Sequence, residues 1–292
     1  MMIGILGRHL EGWGTMQLRD SLEKHDIPFT LLGLANLAAR VGYPLRADKN
    51  GPKDIADFTT LIIRPIGRGS LEEIIFRMDL LHTFERRGVL IVNPPRAIER
   101  CVDKYYALAL LEENGMPVPR TMVTESEEEA LKGLRELGGD VILKPLFGSQ
   151  GVGSTRVFNE DVAARIFSSV RFHHGVLYLQ EFIPHGDSDI RAFVVGNRVV
   201  AAMRRAGSSW KTNVSQGAQP VAIQLDDELE SLAIKAATII DCKVAGVDIL
   251  ESRKGPLIIE INSQPGWRGL QSVSKVNIAD SIIEYVLAEV KK

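Results

Sequence analysis

Short apolar runs, each stopped by glycine, proline or a capping residue, divide the chain into alternating strand-like and helix-like stretches. Residues 2–6, 29–32, 61–64 and 89–92 read as four strands. Between them, residues 17–25 read as a helix behind a glycine-bearing turn at 11–15, and Ser70 with Glu73 forms a capping box that opens a second helix. Leu71, Ile74, Ile75, Met78 and Leu81 fall on one face of that helix. This alternation over residues 1–95 predicts a parallel α/β unit with its ligand side at the carboxyl ends of the strands, where Trp13, Arg64 and Arg68 fall.

The pattern then changes. Residues 96–183 carry a helix at 103–114, stopped by Gly115 with Pro117 and Pro119 beyond it, a strand at 118–123 and a glutamate-rich helix at 125–137. Strands at 141–144, 155–158 and 177–183 and a helix near 161–169 complete an α+β lobe. Residues 184–292 open with strands at 190–195 and 198–203 around the hairpin signal Gly196-Asn197, followed by a long polar loop at 204–217. A helix at 226–240 buries Leu229, Leu232, Ala236 and Ile239, two strands at 244–250 and 257–262 follow, and a helix at 278–290 comes last.

Two stretches carry chemistry. Val141-Ile-Leu-Lys144 runs into Gly148, Ser149, Gly151 and Gly153, a strand that ends on a cation and then a loop free to turn its N–H groups toward an anion. The spacing matches neither the dinucleotide fingerprint nor the Walker loop, and the lysine precedes the glycines, so residues 147–154 read as a mobile lid over phosphates. The loop Arg253-Lys254-Gly255 predicts a three-residue hairpin, which sets Asp248 opposite Glu260 and leaves Asn262 on the same face. Two carboxylates and an amide on one face suit a hard cation such as magnesium; the alternative is a solvated strand face balanced by lysines. Asp189, Arg191, Arg204, Arg205, Lys211 and Asn213 make a cluster suited to carboxylate or phosphate.

Composition narrows the classes. A net charge of −2 argues against a general nucleic-acid or membrane-surface binder. Cys101 and Cys242 are the only cysteines and lack C-x-x-C spacing, so no disulfide framework or thiol zinc site is expected and a cytoplasmic location fits. No apolar run approaches the ~20 residues that span a bilayer, and no targeting segment is expected. His173, His174 and His185 read as solvated or structural, and the cysteines as small buried apolar groups. Trp13, Trp210 and Trp267 sit in loops, where they either stack on a flat acceptor or cover a core edge.

Lys104, Lys144 with its glycine loop, Gln180-Glu181-Phe182-Ile183, Asp189-x-Arg191, Arg204-Arg205, Asn213, Asp248 and Glu260-x-Asn262 together resemble, in order and spacing, the ATP-grasp ligases. The chain is more narrowly similar to the RimK-like α-L-glutamate ligases over about residues 90–290. The resemblance implies an α/β ATP-grasp fold with an N-terminal parallel pre-ATP-grasp domain, and a cytoplasmic homodimer or homotetramer. It also implies ATP with magnesium, or manganese, as cofactors, and L-glutamate and a carboxylate-bearing acceptor as substrates, with no nucleic acid or membrane partner. It assigns Lys104, Lys144, Gly148, Ser149 and Gly151 to the phosphates, Gln180 to Ile183 to the adenine and ribose, and Asp189, Arg191 and Arg204 to the nucleotide site. Asp248, Glu260 and Asn262 are assigned to the metal, and Arg205 and Asn213 to the acyl phosphate. A tetrahydromethanopterin-type acceptor is favoured over a protein C-terminus, a deazaflavin coenzyme or a carrier protein. A nucleotide-holding module without turnover, and a dinucleotide-dependent oxidoreductase lacking its fingerprint, are the other classes considered.

Overall fold

The computed structural model describes residues 2–42, 58–148, 151–207, 210–212, 214 and 217–291. β1 (Ile3–Gly7) is buried along its whole length because it lies inside a parallel sheet covered on both faces. α1 (Trp13–Lys24) follows, then β2 (Phe29–Gly33), β3 (Thr60–Ile63), α2 (Leu71–Arg86) and β4 (Leu90–Val92), in the sheet order β2-β1-β3-β4. Ile3, Ile5 and Ile62 point into one core with Leu18 and Leu22 of α1, while Leu6, Leu61 and Ile63 point into the other with Met78, Leu81 and Phe84 of α2.

Two local expectations for this region are corrected. α1 begins at Trp13, inside the stretch read as a turn. Gly14 is helical despite its propensity cost of about 1 kcal/mol, because Arg64 and Trp267 crowd the position that a side chain would occupy. On α2 the capping box forms as expected. Leu71 and Ile75, however, are 75% and 50% exposed, and the buried stripe runs through Met78, Leu80, Leu81 and Phe84.

α3 (Pro95–Val102) uses Pro95 in its first turn, where proline suits a helix, and so turns the expected strand closure into a helix start. α4 (Lys104–Glu113) follows after Asp103, whose side chain caps it. β5 (Thr121–Thr124), α5 (Glu127–Glu136), β6 (Val141–Lys144), β7 (Thr155–Val157), α6 (Glu160–Phe172) and β8 (Leu177–Glu181) form a second, antiparallel sheet ordered β5-β8-β6-β7 with two helices packed on it. β5 starts three residues later than expected, beyond Pro119, which has no N–H to give a ladder.

The third sheet holds β9 (Ser188–Val195), β10 (Arg198–Ala206), β11 (Gln219–Ile223), β12 (Val244–Ser252) and β13 (Gly255–Asn262), ordered β11-β10-β9-β12-β13. β10 runs through Arg204 and Arg205 into the expected loop, and β11 is a strand where none was foreseen. α7 (Asp227–Ile240), α8 (Arg268–Gln271) and α9 (Ile278–Val290) complete the chain order. Ile190, Ala192, Val194, Val247 and Ile249 face α3, α4 and α7, whereas Phe193, Val195, Met203 and Val244 face α9 and share a core with the first sheet. α7 buries Ala233, Ala236, Ala237 and Ile240, so its inward stripe is turned by about one residue from the expected one. Among the described residues no helix is long and apolar enough to cross a membrane.

The two cores are tied by Asn93, buried just after β4. Its Nδ2 donates to the carbonyls of Val244 at 2.6 Å and Ser263, and its Oδ1 accepts from the N–H groups of Lys243 and Val244 at 2.6 and 2.8 Å. Asn93→Ala strands these backbone groups in a dry interface, with an expected loss of about 2–4 kcal/mol in chemical denaturation. Wild-type stability in that variant would mean water satisfies them.

Candidate active site

Period two decides which charges meet. On β9 and β10 the odd-numbered residues, and on β12 the even-numbered ones, share one face: apolar at one end with Phe193, Met203 and Val244, charged at the other with Asp189, Arg191, Arg205 and Asp248. Arg205, itself buried, bridges two buried carboxylates. Its Nε and Nη2 donate to Asp189 at 2.6 and 2.5 Å, and Nη2 lies 3.1 Å from Asp248 Oδ2. Arg191 grips Asp248 through both of its oxygens, with Nη2 to Oδ2 at 2.6 Å, and Thr212 Oγ1 donates to Asp189 Oδ2 at 2.6 Å. Burial alone would push the Asp248 carboxyl up, but the two arginines outweigh it and hold the group below its ordinary value. Burial works against the Arg205 cation too, and Asp248 and Asp189 more than restore it.

Asp248 pairs with Glu260, as expected, by a different route. The strands close through a two-residue turn, with Ser252 facing Gly255, and a bulge after Asp248 restores the register that a three-residue turn would have given. Glu260 is left in the opposite state to Asp248. Burial, then the Asp248 charge, pushes its carboxyl above the ordinary range, against the pull of Lys104, Arg191 and Lys144. No described residue donates a hydrogen bond to it.

Across from this face, the second sheet supplies the other wall. Lys144 ends β6, and its Nζ donates to Gln180 Oε1 at 2.6 Å. Burial lowers its pKa to about 8, partly offset by Glu260 and reinforced by Lys104. Lys104 Nζ donates to the carbonyl of Gly148 at 2.7 Å, tying the start of α4 to the glycine loop; burial lowers its pKa as well. The cleft between the sheets is lined by Lys104, Lys144, Glu181, Asp189, Arg205 and Glu260, among others.

Gly148, Gly151, Gln180, Phe182, Ile183 and Asp248 also line the cleft. Glu181 lies there with both carboxylate oxygens engaged, accepting from Arg120 N at 2.9 Å and Arg120 Nε at 2.8 Å, so its backbone is what remains for a ligand. Arg191 reaches the cleft only through Asp248, and Asn262 shares the Glu260 face at the Gly246 register position. Arg204 points the other way, to Ser188 and to Glu251 at 2.5 Å, because it is one residue out of phase with Arg205. Ser149 and Asn213 lie outside the described residues, as does Gln150 in the expected lid.

The structure adds Thr212, Trp210 and His185 to the cleft. His185 Nδ1 lies 2.6 Å from the Ile183 carbonyl and its buried Nε2 has no partner, which a structural reading of the histidine does not anticipate. Phe182 lies under the Arg156 guanidinium, 3.5 Å from its carbon to the ring centre, and Asp140 holds that guanidinium in place. Of the three tryptophans only Trp210 faces the cleft; Trp267 is 1% exposed, with Trp13 packed edge-on against it. Cys242 is buried as expected while Cys101 is only partly so; their Sγ atoms lie 3.5 Å apart, and the hydrogen bond with that thiol, then burial, drives Cys242 well above its ordinary value.

The model of the RimK-like ATP-grasp domain matches residues 101–286, the segment that carries both walls of the cleft. The chain belongs to the RimK-like ATP-grasp family. The tetrahydromethanopterin:alpha-L-glutamate ligase of Methanococcus maripaludis is 34% identical over 100% of both chains, and that of Methanocaldococcus jannaschii 36% over 93% of both. A crystal structure of a RimK domain protein from Sphaerobacter thermophilus, 22% identical, has the same fold with a TM-score of 0.77 over 98% of this chain and 99% of that one. This RimK-like chain is an ADP-forming amide-bond ligase that binds ATP with a divalent metal.

The residues fit such a metal. Among the described residues no cluster of three His, Cys, Asp or Glu is present, so the protein offers two carboxylates and not a closed cage. Magnesium commonly takes one or two carboxylates and completes its shell with water and phosphate oxygens. Glu260, half-buried beside Asp248 and given no hydrogen bond by any described residue, is the group that a cation would relieve.

Proposed function

We propose that this ligase joins L-glutamate, through its amine, to a carboxylate of a larger acceptor by way of an acyl phosphate. The observation that carries the reading is the Arg205 bridge between Asp189 and Asp248 on a cleft whose other wall presents Lys144 and Lys104. Phosphoryl transfer needs little acid or base chemistry, and cations fixed before the reaction are its main requirement. The acceptor carboxylate oxygen takes the γ-phosphoryl group and ADP leaves. The free amine of glutamate attacks the carbonyl carbon, the C–O bond to phosphate breaks, and the amine proton passes to phosphate or solvent.

In this scheme Lys104 and Lys144 hold the phosphates, with the backbone of Gly148 and Gly151 beside them. The backbone from Gln180 to Ile183 receives the adenine, and Asp189 fixes the Arg205 fork while the Nη1 arm meets the transferred phosphoryl group. Asp248, Glu260 and Asn262 hold the divalent ion, which neutralises phosphate charge when bound. Arg191 keeps Asp248 ionised and aligned. Asn213 and Ser149 remain assigned by resemblance alone. The names of the relatives support glutamate as the amine and a tetrahydromethanopterin-type compound as acceptor, and Trp210 gives a flat acceptor one ring at the cleft.

The test is ADP release with ATP, magnesium and glutamate across candidate acceptors, with a pterin, a deazaflavin coenzyme, a protein C-terminus and a carrier protein compared. Release that depends on both glutamate and the pterin is expected; release independent of glutamate would overturn the reading. Lys144 adds a pH signature. Between about pH 8 and the ordinary lysine value the folded chain holds fewer protons than the unfolded one, so stability rises with pH there. ATP affinity should fall over the same window as the cation is lost, and Lys144→Arg should flatten that fall in binding titrations.

A further inference from the structure

Arg64, at the carboxyl end of β3, is a largely enclosed cation to which no described residue offers an acceptor. Its Nε is buried and has no hydrogen-bond partner, and no described carboxylate or carbonyl pairs with the rest of the guanidinium. Burial alone lowers its pKa to about 10, with no anion to offset it. The guanidinium carbon lies 4.6 Å from the centre of the Trp267 ring, which fixes its plane. A Cβ on Gly14 would come 2.6 Å from Arg64 Nη2 and 3.2 Å from the Trp267 ring, so the arginine stands over the first turn of α1.

That placement is unfavourable for the protein by itself. A helix start carries partial positive charge and unpaired N–H groups, and here the cap is Gly12, which brings no side-chain oxygen. A cation over an uncapped N-terminus lacks its counter-charge. Trp267 Nε1 and Gln264 Nε2, in the loop that leads from Asn262, are also buried donors without acceptors. Pro265 of that loop packs where a Cβ on Gly246 would reach, 2.9 Å away, beside the Arg191 side chain that grips Asp248. The loop that carries two of the orphaned donors therefore packs against the Arg191 side chain of the charged face.

We propose that Arg64 and the first turn of α1 bind a substrate carboxylate that is not consumed in the reaction. This rests on the ligase reading only for which substrate carries it, the glutamate or the acceptor. Glycines at 12 and 14 keep the turn open, the Arg64 fork takes the two oxygens, and the helix N–H groups complete the site.

The experiment uses Arg64→Met, which keeps the stem on Trp267 and removes the charge, with initial rates taken while glutamate and acceptor are varied separately. The KM of one of the two should rise about 10- to 100-fold, as for a lost hydrogen-bonded charge, and that of ATP should not move. A rise for glutamate assigns its carboxylate, and a rise for the acceptor assigns the acceptor's. Thermal shifts with glutarate on the nucleotide-free protein decide the site without turnover: the wild type should gain melting temperature and the Met variant should not. If wild type shows no glutamate-dependent turnover the ligase reading fails, while the glutarate shift still decides this site. Unchanged KM values with equal glutarate shifts would overturn the proposal, as would a fall in melting temperature with unchanged KM, which would make Arg64 a packing residue.

Discussion

Arg205→Ala is expected to lower kcat by about 10³-fold or more and to destabilise the fold by about 3–5 kcal/mol. Both effects come from the same geometry. Arg205, Asp189 and Asp248 are 4%, 2% and 2% exposed, so the variant leaves Asp189, among the described residues, with the Thr212 hydroxyl alone and sets it near a second buried carboxylate. Asp248 keeps Arg191 and suffers less. ADP release and chemical denaturation read the two effects separately. In the double variant Arg205→Met with Asp189→Asn the uncompensated charge is gone, so most of the lost stability should return. Turnover should stay low, because the guanidinium that meets the transferred phosphoryl group is gone. A double variant that regains turnover would remove Arg205 from the chemistry.

Glu260→Gln is expected to separate activity from stability in the opposite sense. ADP release should fall about 10²- to 10³-fold, while the nucleotide-free protein becomes at least as stable as wild type. The carboxyl is half-buried in the cleft wall, faces Asp248 and accepts from no described residue, so removing its charge relieves a repulsion and breaks no described bond. The sign with pH follows from the raised pKa. Above the ordinary carboxylate value the folded chain holds a proton that the unfolded chain has lost, so this group makes stability fall as pH rises through that window. The difference in melting temperature between variant and wild type should therefore widen as pH rises from about 4 upward. Magnesium with nucleotide should raise the melting temperature of wild type more than that of the variant. A variant that is less stable at every pH would place a protein donor on Glu260.

Much of this site could be read along the chain because it lies on strands with a period of two. Val247-Asp248 and Glu260-x-Asn262 carry apolar neighbours that fix which face is inside, and the pairing of Asp248 with Glu260 followed from the turn. The turn has two residues and not the expected three, since the register depends on the total of loop and bulge and a bulge leaves no mark in composition. Residue type and a loop placement do not separate Arg204 from Arg205; with β10 extended through them, alternation sends one to Glu251 and the other to Asp189. What escaped the sequence was set by contacts distant along the chain. Gly14 and Trp13 join a helix only because Arg64 and Trp267 arrive from β3 and from the segment after β13. Asn93 reads as a turn residue before two prolines, and nothing local reveals that it binds the backbone of Val244 and Ser263. Trp267 sits between glycine and arginine in the sequence, yet it is core because the first and third sheets close over it.

The central claim, that this RimK-like ligase makes its amide through an acyl phosphate, is tested most directly with an acceptor labelled with ¹⁸O in both carboxylate oxygens. Turnover with ATP, magnesium and glutamate is predicted to leave one ¹⁸O in each inorganic phosphate released, matched to the amide formed. Phosphate that carries no label while amide accumulates would contradict the account.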